Sequence, residues 1–251
     1  MNPKILIGCP VRNRSWVLPT FLERLAAIKY ENKQFMFMEN NSKDNTYDIL
    51  HDFFSHVDGV TLCRFTSHQE ENIPSEDRIG YKTNQYAYLA DIRNKFMQHV
   101  LRLNWGEYLL SIDSDILVPS DSISQLLDIY QSFPRNKRKW IISGAVISND
   151  PKITEITGKS RTNFMNKRNN LYVHPIQYPL EGWHQVDMVG AVHLIPIPLI
   201  QYMFDMYGGF YFPDKQGEDL GFAHRAPKET GWYVNMDCRC QHIMTKAMLK
   251  K

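Results

Sequence analysis

The chain has 251 residues, is 43% hydrophobic and 22% charged, and carries a formal net charge of +2. That is the composition of a folded globular protein with a sizeable core, which excludes a disordered chain and a generally basic, nucleic-acid-binding surface. The longest apolar run, Val189–Ile200, is interrupted by His193, Pro196 and Pro198, which excludes a membrane-spanning helix.

The elements alternate through the first half. Lys4–Cys9 is a short apolar run that predicts a buried strand. Leu18, Phe21, Leu22, Leu25 and Ile28 recur at helical spacing. Gln34–Met38 is a second strand, and Asp44 or Asn45 is placed to cap a helix carrying Ile49, Leu50, Phe53, Phe54 and Val57. Val60–Phe65 is a third strand, and polar Thr66–Lys82 a loop. Leu89, Ile92, Phe96, Val100 and Leu103 mark a long helix before a fourth strand, Glu107–Ile112.

The second half is less periodic. Ser120–Ser132 predicts a helix, Trp140–Ile147 a strand, and Asn149–Gly182 a long, locally basic loop or lid with Lys152, Lys159, Arg161, Lys167 and Arg168. Trp183–Ile197 reads as one strand, then Pro198–Tyr207 and Glu218–Lys228 as helices. Strands separated by helices predict an α/β fold with a mixed, mainly parallel central sheet flanked by helices. No linker divides the chain. The expectation is a single domain over residues 1–251, made of two halves, 1–118 and 119–251. The opening MNPKILIGCP has no secretory signal. The four cysteines, Cys9, Cys63, Cys238 and Cys240, are too few for a disulfide framework. A reducing, cytoplasmic setting is the expectation that follows.

Ligands of such sheets bind beyond the carboxyl ends of the strands. Pro10–Arg14, Glu39–Asn45 and Asp113–Asp115 all follow predicted strands, so they should meet at one edge. Asp113-Ser114-Asp115 is the sharpest feature and the only Asp-x-Asp in the chain. Two carboxylates two residues apart at a strand end repel unless a cation lies between them. Mg2+ or Mn2+, with phosphate oxygens completing its shell, is the matching partner.

These segments, in this order, resemble the GT-A fold glycosyltransferases that use nucleotide sugars, in pattern most like the family-2 type. The likeness runs from Ile5 to about His242. It is carried by Ile5-Leu-Ile-Gly-Cys-Pro-Val-Arg-Asn-Arg14, Phe37-Met-Glu-Asn-Asn-Ser-Lys-Asp-Asn-Thr46, Ala90-Asp-Ile-Arg-Asn94, Asp113-Ser-Asp115 and Gly217-Glu-Asp-Leu-Gly-Phe-Ala-His-Arg225. Collagen-type galactosyltransferases and Anp1-like mannosyltransferases share the ordering. The resemblance implies a nucleoside-diphosphate sugar donor, UDP before GDP, bound by the half at 1–118, and transfer to a hydroxyl of a glycan, lipid-linked sugar, protein or small molecule bound by the half at 119–251. Pro10, Arg12 and Glu39 would line the nucleotide pocket, Arg93 would contact phosphates, and Gly190 would let the donor sugar approach. Asp115 would hold the metal. Asp113 would bind ribose, metal or water, and His242 is a candidate third ligand. Asp219, beside Glu218, is the candidate general base of an inverting transfer. The chain departs from the pattern at Asn40 and Asn41, where acidic residues are usual, and at Ala226, where an aromatic follows the late Arg of processive synthases.

Three other readings compete. A sugar-phosphate nucleotidyltransferase needs a Gly-rich basic loop after the first strand, and Gly8–Arg14 has one glycine and a proline. A non-catalytic glycan- or nucleotide-binding module would have no need of Asp113, Asp115 and Asp219 together. A dinucleotide-dependent dehydrogenase lacks its Gly-x-Gly-x-x-Gly. Cys238-x-Cys240-x-His242 lacks the second ligand pair of a structural zinc site.

Overall fold

The structure is a computed structural model that describes residues 2–65, 83–132, 140–148, 161–169, 171–175, 177 and 180–250. The predicted loop Thr66–Lys82 and residues 149–160 of the predicted lid lie outside the described residues.

The first half follows the periodicity closely. Strand β1 (Ile5–Val11) leads to helix α1 (Leu18–Ala26), β2 (Lys33–Asn40), α2 (Thr46–His56) and β3 (Val60–Phe65). Helix α3 (Thr83–Leu103) then precedes β4 (Tyr108–Ile112). Strand β1 pairs in parallel with both β2 and β4, and β2 pairs in parallel with β3. Gly8 sits in the middle of β1 because a Cβ there would overlap the carbonyl of Met36 on β2. At the start of α2, Asn45 holds the cap position without a side-chain bond, and Asp44 Oδ1 accepts from Thr46 N at 3.0 Å.

Residues alternate between two faces of the sheet. Ile5, Ile7, Cys9 and Val11 pack with Leu18, Phe21 and Leu25 of α1. The same face holds Ile123 and Leu126 of helix α4 (Ser122–Ser132). Leu6, Met36 and Met38 face Ile92, Phe96, Met97 and Val100 of α3. Helices therefore cover both faces, as a buried parallel sheet requires.

The second half completes the sheet out of sequence order. The short β5 (Ile116–Leu117) follows β4, and β6 (Ile141–Ser148) follows α4. Next come β7 (Arg161–Thr162), β8 (Phe164–Arg168) and β9 (Leu171–Val173). Strands β10 (Trp183–Val186), β11 (Met188–Val189) and β12 (Val192–Pro196) precede helices α5 (Ile197–Tyr207) and α6 (Glu218–Arg225). Strand β13 (Trp232–His242) and a 3-10 turn at Lys246–Lys250 end the described chain. The main sheet runs β10-β13-β6-β12-β4-β1-β2-β3, with β5 on β13 and β7 on β6. It is mixed: β13–β6, β4–β1, β1–β2 and β2–β3 are parallel, and β10–β13, β6–β12 and β12–β4 antiparallel.

Three expectations are corrected here. Trp183–Ile197 is three strands rather than one. It breaks at Asp187 and again at Gly190–Ala191, where Ala191 takes φ +63. The described part of Asn149–Gly182 is not a plain loop. It contributes β7 to the main sheet, and β8 and β9 to a second sheet ordered β11-β8-β9. In addition, α6 stops at Arg225 rather than Lys228, because Pro227 pushes Ala226 out of helical conformation, to φ −55 and ψ 144. The four cysteines are free thiols.

Within β12, opposite Ser111 of β4, lies buried His193. Its Nε2 is 2.9 Å from the carbonyl of Val189, which can only accept, so that nitrogen carries the proton. Burial lowers its pKa from the usual 6.5 to about 4, against the raising effect of that hydrogen bond. The unfolded chain thus binds a proton between those values that the folded one refuses, and stability drains as pH falls. Relative to a His193→Asn variant, the wild type should lose up to about 3 kcal/mol between pH 7 and pH 4. Denaturant melts of both proteins across that range check it.

Candidate active site

The carboxyl ends of β1, β2 and β4 meet at one edge of the sheet, and short hydrogen bonds tie the first two loops together. Asn13 N donates to Ser42 Oγ at 3.0 Å and Arg14 N to Thr46 Oγ1 at 2.7 Å. Ser15 donates from N and Oγ to Asp44 Oδ2 at 3.1 and 2.7 Å. Burial raises the Asp44 pKa, but the hydrogen bonds from Thr46 and Ser15 outweigh it, and the carboxyl stays below its ordinary range. Pro10 lies half-buried in β1, in register with Met38. Arg12 Nη1 donates to Tyr88 Oη at 3.4 Å, and Asn40 Nδ2 reaches the same oxygen at 3.2 Å. Tyr88, from α3, carries no sequence signal beyond its place in a long helix. Glu39 is fully buried: Oε1 accepts from Ser42 N at 2.5 Å and Oε2 faces Arg64 Nε at 3.3 Å. It holds the turn beside the edge and presents no free carboxylate there.

The second cluster is built from β4, β5 and β13. Antiparallel pairing sets His242 opposite Ile116, directly after Asp115. His242 Nε2 lies 3.6 Å from Asp115 Oδ1, and Arg14 Nη2 lies 3.4 Å from Oδ2. Ile243 N donates to the Asp115 carbonyl at 2.8 Å, which fixes the end of β13 against the Asp-x-Asp turn. Asp115 is 4% exposed. Asp113 is more open and points to Arg93 instead.

Arg93 links the two halves. Its Nη2 is 2.8 Å from Asp113 Oδ1, and its Nε is 2.8 Å from Glu218 Oε1. The guanidinium also lies over the ring of Tyr211, 5.3 Å from its centroid. The next residue, Asn94, accepts at Oδ1 from Phe210 N and Tyr211 N, and donates from Nδ2 to the Tyr211 carbonyl, each at 2.8 Å. Adjacent residues of α3 thus hold the tyrosine's ring and its backbone. A signal for this was present in Ala90-Asp-Ile-Arg-Asn94; nothing in the sequence pointed to Tyr211.

Glu218 and Asp219 open α6 after Gly217, whose φ of +139 favours a residue without a side chain. Asp219 Oδ1 is buried and has no hydrogen-bond partner among the described residues. A Cβ on Gly190 would stand 3.2 Å from Asp219 Oδ2, so the missing side chain keeps the approach to this carboxylate open. Burial raises both carboxyl pKa values, and the positive charge of Arg93 opposes the rise. The structure therefore brings Asp113, Arg93, Glu218, Asp219 and Gly190 together, and joins Asp115, Arg14 and His242 beside them. Among the described residues, no three His, Cys, Asp or Glu side chains are arranged to hold a metal ion unaided.

Residues 2–203 match the sequence profile "Glycosyltransferase family 25, N-terminal domain". The chain belongs to glycosyltransferase family 25. The match ends before Glu218, Asp219 and His242. The likeness to the family-2 type stands as a likeness of motif order. No curated protein matches this family 25 chain. Solved structures agree on its fold. GalNAc-T7, described with UDP, GalNAc and Mn2+, superposes with a TM-score of 0.65 at 12% identity, over 96% of this chain and 44% of that one. Staphylococcus aureus TarS residues 1–349 in complex with UDP give 0.58 at 16% identity, over 95% and 60%. The same TarS fragment with UDP-GlcNAc gives 0.56 at 14%, over 95% and 58%. The family 25 chain thus has the GT-A glycosyltransferase fold and spans 44–60% of the length of these structures. No described helix is long and apolar enough to cross a membrane.

Removing the shared cation should expose how much it holds. Arg93→Met leaves Asp113 and buried Glu218 without their partner, and breaking a buried ion pair from one side costs about 3–5 kcal/mol. Chemical denaturation should show a loss of that size, with far-UV circular dichroism of the folded state unchanged.

Proposed function

We propose that this chain transfers a hexose from a nucleoside-diphosphate sugar, UDP before GDP, to an acceptor hydroxyl, with inversion and with a divalent cation. The observation that carries the reading is the pair of carboxylate clusters bridged by Arg93. One, Asp113 with Asp115, suits a diphosphate and its cation. The other, buried Glu218 with half-buried Asp219, is raised in pKa and open beside Gly190. The UDP in the TarS and GalNAc-T7 complexes and the Mn2+ in the latter support the same reading.

The residues present fit a hard or borderline cation. Asp115 Oδ1 and His242 Nε2 lie side by side on separate strands, and carboxylate with imidazole is a donor set for Mn2+, with Mg2+ the alternative. Asp115, His242 and, once released from Arg93, Asp113 would hold it. Bound there, the ion supplies positive charge for the leaving diphosphate. Pro10, Arg12 and the turn held by Glu39 form the floor for the nucleoside. Gly190 leaves room for the sugar.

Asp219 is the base. Its carboxylate takes the proton of the acceptor hydroxyl as that oxygen bonds to the anomeric carbon. The bond from that carbon to the diphosphate oxygen breaks on the opposite side, and its electron pair leaves with the nucleoside diphosphate. A raised pKa makes Asp219 a stronger base than an exposed aspartate. Arg93 keeps it from rising so far that it is protonated at neutral pH. The acceptor is a hydroxyl of a glycan, a lipid-linked sugar, a protein or a small molecule.

Three outcomes test this. A thermal-shift panel of UDP-, GDP-, CMP- and dTDP-sugars with Mn2+ should show stabilisation by UDP-sugars; no response to any donor sinks the reading. Asp115→Asn should abolish turnover and weaken Mn2+-dependent nucleotide binding, whereas Asp219→Asn should abolish turnover and leave nucleotide binding within about twofold. The wild-type rate should fall with decreasing pH, since the base works only deprotonated. The midpoint should lie above the ordinary aspartate value of about 3.9.

A further inference from the structure

Asn163 lies between β7 and β8, outside both carboxylate clusters, and touches none of the residues assigned a chemical role except Gly190. Its side chain is nevertheless fully engaged. Nδ2 donates to Gly190 O at 2.7 Å, Ser143 Oγ at 2.9 Å and Gly144 O at 3.1 Å. Oδ1 accepts from Val146 N at 2.8 Å. Its backbone repeats the pattern: Asn163 N donates to Val146 O at 3.0 Å, and Asn163 O accepts from Gly190 N at 2.6 Å. One residue thus binds both polar backbone groups of Gly190 and fastens them to β6.

What Asn163 fastens is the site itself. Gly190 faces Asp219 Oδ2. The following residue, Ala191, takes the sparsely populated φ of +63, and its carbonyl accepts from Asp113 N at 2.9 Å. A strained alanine persists only where its surroundings over-determine it. The Asn163 clamp on one side and Asp113 on the other do so here. The backbone from Asn163 through Gly190 and Ala191 to Asp113 is a continuous hydrogen-bonded path that runs past Asp219 to the Asp-x-Asp turn.

We infer that Asn163 is a positioning residue for transfer: it sets where the Gly190–Ala191 turn stands between Asp219 and Asp113, without touching substrate. The inference rests on the proposed transfer and on Asp219 as its base. A misplacement of about 1 Å far from the reacting atoms can cost about 100-fold in rate. The residue therefore acts on kcat and leaves donor affinity largely alone.

Asn163→Asp tests it, because aspartate matches the volume of asparagine while its carboxylate replaces the donor with a charged acceptor. A carboxylate oxygen would then face the carbonyls of Gly190 and Gly144. Turnover is read as nucleoside diphosphate released from the sugar nucleotide that most stabilises the chain in the thermal-shift panel. The expected result is a fall in kcat of about 100-fold, with KM for the donor within threefold of wild type and nucleotide binding unchanged. If Asn163→Asp fails to fold, Asn163→Ser carries the test. Its hydroxyl keeps one donor and its backbone keeps the bonds to Val146 and Gly190. Its kcat should fall about tenfold at unchanged KM. A folded variant with kcat within twofold of wild type overturns the inference, and so does a loss expressed chiefly in KM. Asp219→Asn, assayed alongside, separates the two readings. If it is inactive while the Asn163 variants are normal, the positioning role alone fails. If it retains wild-type turnover, the base assignment fails, and the positioning role with it.

Discussion

The Arg93 guanidinium sits between two carboxylates that would otherwise repel one another across the cleft. Asp113 ends a strand of the first half, and Glu218 begins a helix of the second. Burying Arg93 beside Glu218 is tolerable only because each carboxylate is within hydrogen-bond distance of the guanidinium, and because Tyr211 supplies a ring face beneath the cation. The geometry of both clusters depends on this one contact. Asn94 ties it to the backbone of Phe210 and Tyr211, and Arg93 joins helix α3 to the Asp-x-Asp turn and the start of α6.

The same contact changes what the charges mean. Arg93 was expected to meet phosphates. It pairs with two protein carboxylates, Asp113 and Glu218, and Arg14 is the residue whose guanidinium faces Asp115. A diphosphate entering with its cation would compete for these arginines, since its oxygens are better matched to guanidinium than one carboxylate oxygen is. Glu39, with Ser42 and Arg64 on its two oxygens, contributes to the shape of the turn. The buried charges are thus mostly organised in pairs, and among the described carboxylates Asp219 keeps a buried oxygen, Oδ1, with neither a hydrogen bond nor a facing cation.

Much of this was legible in the sequence, and the reasons are local. β1, β2 and β3 show as apolar runs because both faces of a parallel sheet are covered, and α1 and α3 show through their spacing. The Asp-x-Asp could be placed at a strand end for the same reason. The breaks near Gly190 could not be read. An alanine at φ +63 has no sequence signature: the turn is closed over it by Val192 N on Gly190 O, and Gly190 is held by hydrogen bonds with Asn163, 27 residues before it. His242 showed only as a late histidine. Its position against Asp115 depends on a two-residue bridge between β5 and β13 that no periodicity announces. Tyr88 and Tyr211 were hidden for a related reason: a buried aromatic reads as core until its neighbours are known.

The order of strands has a further consequence. The centre of the sheet is filled by β12 and β6, and the antiparallel β12 covers the edge that β4 presents. During synthesis, β1 to β4 emerge first, and 79 residues lie between the end of β4 at Ile112 and the start of β12 at Val192. At about 5–20 residues per second, a ribosome needs several seconds to supply that cover. Through that interval the nascent chain carries an open apolar edge, Tyr108–Ile112, of the kind that pairs with other chains. The first half is thus the part most exposed to misassembly, and the strand that shields it is the one whose preceding turn, at Gly190, stands against Asp219.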